Sequence, residues 1–289
     1  MIDLSVIIVS FNTKEITRQC LQSLQESLSK AKNTTSEVIV IDNASQDGSQ
    51  KMLKELPVKT ILKDTNLGFG AANNAALKEA QGEFVLFLNS DVIHQNVHYD
   101  DLIAYFRSQK DIGALTVKVL LKGKDIDPAS HRGFPTPWRS LTYYAKLEKI
   151  FWNVPVLNKI FGGYHLAGND LNTEHEIEAI TGAYFLSRRE ILQKLNGFDE
   201  DFFMYGEDLD LAFRIKELGY RIMYYPKYVV DHLKYSSGIK TDNPDIRKNI
   251  RKHFYEAMLI FYKKHYRNKY PGFVFNLVSL IVNTAIKRI

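Results

Sequence analysis

Leu4-Ser5-Val6-Ile7-Ile8-Val9-Ser10-Phe11 is the stretch from which the fold is read. An almost continuous apolar run of this length suits a strand buried on both faces. After Asn12-Thr13, apolar residues at Ile16, Cys20, Leu21 and Leu24 predict a helix from about Lys14 to Ser29. Glu37-Val38-Ile39-Val40-Ile41 predicts a second buried strand, stopped abruptly by Asp42-Asn43-Ala44-Ser45-Gln46-Asp47-Gly48-Ser49. Lys59-Thr60-Ile61-Leu62 reads as a third, followed by Asn66-Leu67-Gly68-Phe69-Gly70 and a helix through Ala80. Past Gly82, Phe84-Val85-Leu86-Phe87-Leu88 ends at Asn89-Ser90-Asp91. Strands alternating with helices in this way imply right-handed crossovers and a parallel α/β sheet.

In such a sheet, ligands sit beyond the carboxyl ends of the strands, where Asp42 and Asp91 fall. A carboxylate after the second strand can accept hydrogen bonds from a ribose hydroxyl or a base N–H. The first strand is not followed by Gly-x-Gly-x-x-Gly, and the chain has no Gly-Lys-Ser/Thr loop, which argues against a nicotinamide cofactor and a P-loop enzyme. Asp91 suits a hard cation, Mg2+ or Mn2+, whose other ligands would come from substrate phosphates and water.

Ile112–Val119 predicts a further strand, and Pro128, Gly133, Pro135, Pro137 and Trp138 mark an irregular segment before an aromatic-rich run from Tyr143 to Tyr164. Strand character returns over Glu178–Arg189. Gly197 to Arg214 then crowds carboxylates and aromatics ahead of an apolar-periodic run ending at Gly219. Glu207 and Asp208 are expected in the first turn of that helix, where the dipole favours negative charge. Asp210 and Arg214 would pair along the helix, leaving Asp208 as the free carboxylate able to take a proton from an incoming hydroxyl. Arg221–Tyr225 and Tyr228–Val230 read as two short strands, the second closed by Asp231-His232.

Forty-five per cent hydrophobic residues supply an ample core, and 25% charged residues are ordinary for a soluble protein. The one cysteine, Cys20, excludes an internal disulfide and a cysteine-based zinc site; its place in the helical pattern predicts a packed thiol and fits a reducing, cytosolic compartment. Met1-Ile2-Asp3-Leu4 lacks a basic leader, so no secretory signal is expected. The net charge of +5 matters less than its placement. From Arg247 to Lys269, basic clusters face one acid, Glu256, with Phe254, Met258, Leu259, Phe261 and Tyr262 between them. Phe273 to Ile286 is mostly apolar but too short and polar for a span of about 20 residues. The tail, residues 236–289, is therefore expected to lie in the plane of an anionic leaflet, or else to pack on the domain or form a dimer contact. It lacks a recognised nucleic-acid motif, so no nucleic-acid partner is expected.

Taken together, Ser5–Asn12, Ile41–Ser49, Asn66-Leu67-Gly68-Phe69 to Asn74, Phe87–Asp91 and Glu207-Asp208 resemble the family 2 inverting glycosyltransferases, over roughly residues 3 to 235. Asn66–Gly70, Thr181–Glu190 and Phe198–Phe203 look most like the rhamnosyltransferase branch. The resemblance implies an α/β fold of GT-A type, a Rossmann-like, mostly parallel sheet flanked by helices, over residues 1–235, with the nucleotide-sugar half at about 1–120, the acceptor half at about 121–235, and a C-terminal helical extension after it. It implies a nucleotide site of Ser10, Phe11, Asn12, Asp42, Asn66, Gly68, Asn74 and Ser90, in which Asp42 reads the pyrimidine base. Asp91, last in the Asp-x-Asp motif, and His232 would hold Mg2+ or Mn2+; Asp208 would be the catalytic base; Thr181, Gly182, Ala183, Glu207 and Arg214 would line the donor-sugar or acceptor pocket. Asn89 replaces the motif's first acid and Asn73 a common arginine, so Arg188, Arg189 or Lys63 is expected to offset diphosphate charge.

The implied reaction is transfer of L-rhamnose from dTDP-β-L-rhamnose to a saccharide or lipid-linked saccharide, in bacterial surface polysaccharide synthesis, at the cytoplasmic face of the membrane. UDP-galactose, UDP-glucose or UDP-galactofuranose are alternative donors. A non-catalytic nucleotide- or nucleic-acid-binding protein is the alternative of another class.

Overall fold

Residues 1–121, 125–151, 153–234 and 244–289 are described by a computed structural model of the chain. Its elements in order are β1 (Leu4–Ser10), α1 (Lys14–Ser29), β2 (Ser36–Asp42), α2 (Ser49–Lys54), β3 (Lys59–Leu62), α3 (Phe69–Leu77), β4 (Phe84–Asn89), β5 (Val92–His94), α4 (Tyr99–Ser108) and β6 (Ile112–Leu121). They continue through β7 (Asp125–Ile126), α5 (Pro137–Tyr144), α6 (Leu147–Ile150), α7 (Pro155–Phe161), β8 (His175–Ile177), β9 (Tyr184–Arg188), α8 (Arg189–Lys194), α9 (Glu207–Glu217), β10 (Arg221–His232), α10 (Pro244–His265) and α11 (Gly272–Lys287).

β1 runs parallel between β2 and β4, which explains its uninterrupted apolar character. The sheet order is β3-β2-β1-β4-β9-β6-β10-β5, with β7 against β6 and β8 against β10. Alternate residues of each strand serve the two faces. Ile7, Val85 and Phe87 join α3, α9 and α10 on one side, while Val6, Ile8 and Leu86 meet α1 and α4 on the other. Cys20 packs there as expected; burial, with the nearby Asp91 charge, pushes its thiol up to about 12.

The mostly parallel sheet is as expected, with antiparallel members: β9 runs antiparallel between β4 and β6, reached by a long excursion instead of a helical crossover. Two expectations change. The strand expected over Glu178–Arg189 shortens to β9, and Thr181-Gly182-Ala183 become a connection leading to the site. The two short strands after Gly219 are one, β10, whose register shifts between Tyr225 and Val229, where Pro226 has no N–H to give the ladder.

The expected domain boundary at residues 235/236 lies outside the described residues. Beyond it, α10 does not lie free: Ala257, Phe261, Tyr262 and Tyr266 are buried in the same core as α9. α11 packs back on α10 through Phe275 and Val278, yet Phe273, Leu277, Leu280 and Ile281 remain exposed. Among the described residues, no helix is long and apolar enough to cross a membrane.

Candidate active site

The ends of β1, β2 and β4 make the first corner. Ser10 is buried and its hydroxyl bonds Thr17 at 3.0 Å, while Phe11 is exposed at the rim. Asn12, in the left-handed region at φ 53°, donates its N–H to Ser45 Oγ (2.8 Å) and accepts from Gln46 N (2.8 Å). Asp42 is fully buried: Oδ1 accepts from Ser45 N (2.9 Å) and Gln50 Nε2 (3.0 Å), and Oδ2 has no partner among the described residues. Asn43 bridges to the next loop, donating to Asn66 Oδ1 (2.8 Å) and accepting from Leu67 N (2.9 Å). Gly68 has φ +83°, and a Cβ there would stand 2.5 Å from the Phe203 carbonyl, so only glycine lets this loop meet the 203 segment. Ser90 Oγ lies 3.3 Å from Thr13 Oγ1, joining the ends of β4 and β1.

Asn74, expected in the nucleotide site, has its carboxamide occupied elsewhere. It accepts from Phe198 N (2.8 Å) and donates to the Phe198 carbonyl (2.8 Å) and Glu200 (2.9 Å), tying α3 to the 198–200 loop.

β10 brings His232 against the end of β4. His232 Nε2 lies 3.2 Å from Asp91 Oδ1 and 3.4 Å from Asn89 Nδ2; Nδ1 lies 2.7 Å from Asp127 Oδ2. Lys234 Nζ donates to the other Asp127 oxygen at 2.9 Å. Burial opposes charge on His232, but the carboxylates of Asp127 and Asp91 override it and push the imidazole up to about 9. Burial likewise opposes charge on Asp127, yet His232 and Lys234 hold its carboxyl far below the usual carboxylate range.

This corner fits a divalent cation provided that His232 gives up its Nε2 proton, whose place facing Asp91 the cation would take. Asn89 Oδ1 is buried with no partner among the described residues, and His232 Nε2 faces Asp91 while Asp127 fixes the ring from behind, as carboxylates do behind metal-binding histidines. Among the described residues no group of three His, Cys, Asp or Glu side chains is placed to hold a metal ion by itself.

Asp208 opens α9 together with Glu207, but it is not the free carboxylate expected from its neighbours. Its Oδ2 accepts from Arg132 Nη2 at 2.7 Å and from Gly182 N at 3.2 Å, and Oδ1 accepts from Leu209 N at 2.7 Å. Burial works against the Arg132 charge, but Asp208 and Tyr164 hold the guanidinium above its ordinary value. Asn89 N donates to the Ala183 carbonyl at 3.2 Å, so Thr181-Gly182-Ala183 is the strap between Asp208 and the β4 end. Glu207 is buried with Oε2 unpartnered among the described residues; burial and the Asp208 charge raise its carboxyl well above the ordinary value.

The Asp210–Arg214 pair forms as expected at 2.7 Å, and Asp210 also takes His265 Nε2 of α10 at 2.8 Å. Arg214 completes its bonds on the Leu195 and Gly197 carbonyls at 2.9 Å each, which leaves its guanidinium to hold this turn and not a sugar. Arg188 and Arg189 are corrected too. Arg188 binds the Phe106, Gln109 and Ile112 carbonyls and pairs in register with Phe84, at the opposite end of β4 from Asp91; Arg189 binds the Gly82 carbonyl. Lys63 does follow β3 beside Asp42, its N–H on the Asp42 carbonyl at 2.9 Å.

Arg132, Asp127 and Lys234 were missed. The first two sit in the irregular segment around Pro128 and Gly133, whose charged residues in a long loop were the available signal.

Comparison with known proteins adds the family. The Glycosyl transferase family 2 model matches residues 5–195, and a second, Glycosyl transferase family group 2, matches residues 169–283. The chain is 25% identical over 241 residues to the rhamnosyltransferase WbbL of Escherichia coli, covering 78% of this chain and 82% of that protein. It is 28% identical over 232 residues to an N-acetylglucosaminyl-diphospho-decaprenol L-rhamnosyltransferase of Mycobacterium tuberculosis, covering 75% and 73%. It is 27% identical to the O-antigen biosynthesis protein RfbC of Myxococcus xanthus over 191 residues, but spans only 14% of that protein's length. The solved mannosyltransferase PcManGT of Pyrobaculum calidifontis, in complex with GDP-Man and Mn2+, superposes with a TM-score of 0.56 at 18% identity, covering 98% of this chain and 68% of that one. The fold is thus of the GT-A type anticipated above, and the chain belongs to glycosyl transferase family 2.

Proposed function

We propose that this glycosyltransferase moves L-rhamnose from dTDP-β-L-rhamnose, with inversion, to a saccharide or lipid-linked saccharide acceptor of a bacterial surface polysaccharide. The supporting observation is that Asp208 is tied through Gly182 and Ala183 to Asn89, two residues before Asp91, so a proton acceptor and a phosphate-side cation corner face one another across one short strap. The rhamnosyltransferase relatives favour rhamnose as the sugar and a lipid diphosphate as the acceptor.

In this reading Asp42, Asn66, Gly68 and Ser90, with Ser10, Phe11 and Asn12, hold the nucleotide. Asp208 accepts the proton of an acceptor hydroxyl, whose oxygen forms the new bond to the anomeric carbon from the face opposite the diphosphate. The bond from that carbon to the leaving oxygen breaks, its electron pair going to the diphosphate, and one displacement inverts the centre. Arg132 orients the Asp208 carboxylate for this step. Asp91, His232 and Asn89 Oδ1 would hold Mg2+ or Mn2+, which when bound supplies positive charge to the leaving diphosphate. Lys234, anchored on Asp127, is a nearby protein cation. The enzyme would act on the cytoplasmic side of an anionic membrane, with α11 of the tail as its lipid contact.

Calorimetric titration with dTDP, UDP and GDP, then their sugar conjugates, with and without Mn2+, tests the donor. Tightest binding of dTDP-rhamnose, strengthened by Mn2+, is the expected result. A preference for UDP-hexoses would move the donor and keep the mechanism, and no nucleotide binding would overturn the reading.

A further inference from the structure

The excursion between the site and β8 leaves an unusual surface. In α5, α6 and α7, Trp138, Leu141, Tyr144, Ile150, Val156 and Ile160 are 48–70% exposed. Apolar area in water costs about 25 cal/mol per Å2, so a cluster this dense within 137–161 calls for something to cover it. Its charges point to what that is. The exposed ones are lysines, Lys146, Lys149 and Lys159, while the single acid, Glu148, is buried and bonded to His165 at 2.8 Å.

The first of these helices, α5, is fastened to α10. Ser140 Oγ meets Tyr262 Oη at 3.0 Å, and Tyr144 Oη reaches Met258 Sδ at 3.4 Å. α10 therefore carries two apolar, acid-poor neighbours, the 137–161 excursion and α11; after Glu256 the chain has no acidic residue at all. Lysines rimming exposed Trp, Tyr and aliphatic side chains are the composition of a surface that seats in lipid headgroups. Segment 132–136 links the excursion directly to Arg132, and Phe134 packs on Phe213 of α9.

We propose that α5–α7 form a second lipid-contacting face, docking the mouth of the site onto an anionic bilayer alongside α11. This rests on the reading above that the enzyme works at such a membrane, and it adds which part of the catalytic domain touches lipid. Docking of this face would bring a lipid-linked acceptor to Asp208 from the bilayer and not from solution.

Both tryptophans, Trp138 and Trp152, fall between residues 137 and 161, so tryptophan emission, excited selectively over the tyrosines, reports this segment alone. The test mixes the full chain with phosphatidylethanolamine vesicles, with and without phosphatidylglycerol, and with doxyl-labelled lipid. The expected result is flotation with the anionic vesicles, a blue shift and quenching by the doxyl label. Ile150→Glu with Val156→Glu should lower vesicle partition about tenfold, with nucleotide binding and thermal midpoint kept. Leu277→Glu with Leu280→Glu tests α11 separately.

Flotation of the wild type with unchanged emission, or equal flotation of the Ile150/Val156 variant, overturns the second face and leaves the tail reading standing. No flotation under any composition overturns both. If the Ile150/Val156 variant instead turns a dimer into a monomer at unchanged flotation, the face is a contact between copies and the proposal fails.

Discussion

The two corners of the candidate site are built by different means. At the nucleotide corner, turns satisfy themselves: Asp42 bonds Ser45 three residues on, and Asn43 reaches Asn66 across 23 residues. Around Asp208 and His232, charges meet from far along the chain. Asp208 meets Arg132 across 76 residues, His232 meets Asp127 across 105, and Asp210 meets His265 across 55. The first corner is thus preset by hydrogen bonds from its turn side chains, which are individually modest, whereas the second depends on buried ion pairs that fail badly when one partner is removed.

The largest expected effect falls on the second corner. Asp208→Asn should lower turnover about 10^3-fold, the scale of a lost general base, and leave nucleotide affinity nearly as it was. Calorimetry beside single-turnover transfer separates the two; a parallel loss of nucleotide binding would make Asp208 a donor-site residue and erase the contrast.

Stability gives a direct comparison. Arg132→Met strands a buried carboxylate and should cost about 3–5 kcal/mol in urea unfolding. Asn43→Ala, which removes turn bonds, should cost about 1–3 kcal/mol. Adding Asp208→Asn to Arg132→Met should recover part of the loss, because the stranded charge is gone. If Asn43→Ala proves the costlier change, the contrast between the two corners fails.

Acid sensitivity, which appears only below neutral pH, sharpens the same point. His131, beside Arg132, is kept neutral by burial, which pushes it down to about 4. Its folded value lies below the ordinary 6.5, so the stability it confers is complete above about pH 6.5 and is lost as pH falls through about 4. The loss should reach about 3 kcal/mol at most, and His131→Asn should flatten it. An unfolding free energy equally steep in the variant would place the acid sensitivity elsewhere.

The sequence alone determined the repeating strand-helix units, because period and turn chemistry are local. β1, α1, β2, β3 and β4 fall within a residue or two of where apolar patterning puts them, and Asp42 and Asp91 follow their strands. It also determined the Asp210–Arg214 pair, since helical spacing fixes such neighbours. What it could not decide was who meets whom across the sheet. Asp208 reads as free in its own helix because Arg132 lies in an irregular loop with no periodicity to place it. Arg188 reads as a phosphate ligand until the antiparallel course of β9 carries it to the wrong end of β4. The basic aromatic stretch after Arg247 likewise reads as a surface helix, but α9 offers its aromatics a core, and burial there outweighs the pattern of charge. Side-chain period is a property of one segment; ion pairing and burial are properties of two, and only the tertiary structure supplies the second.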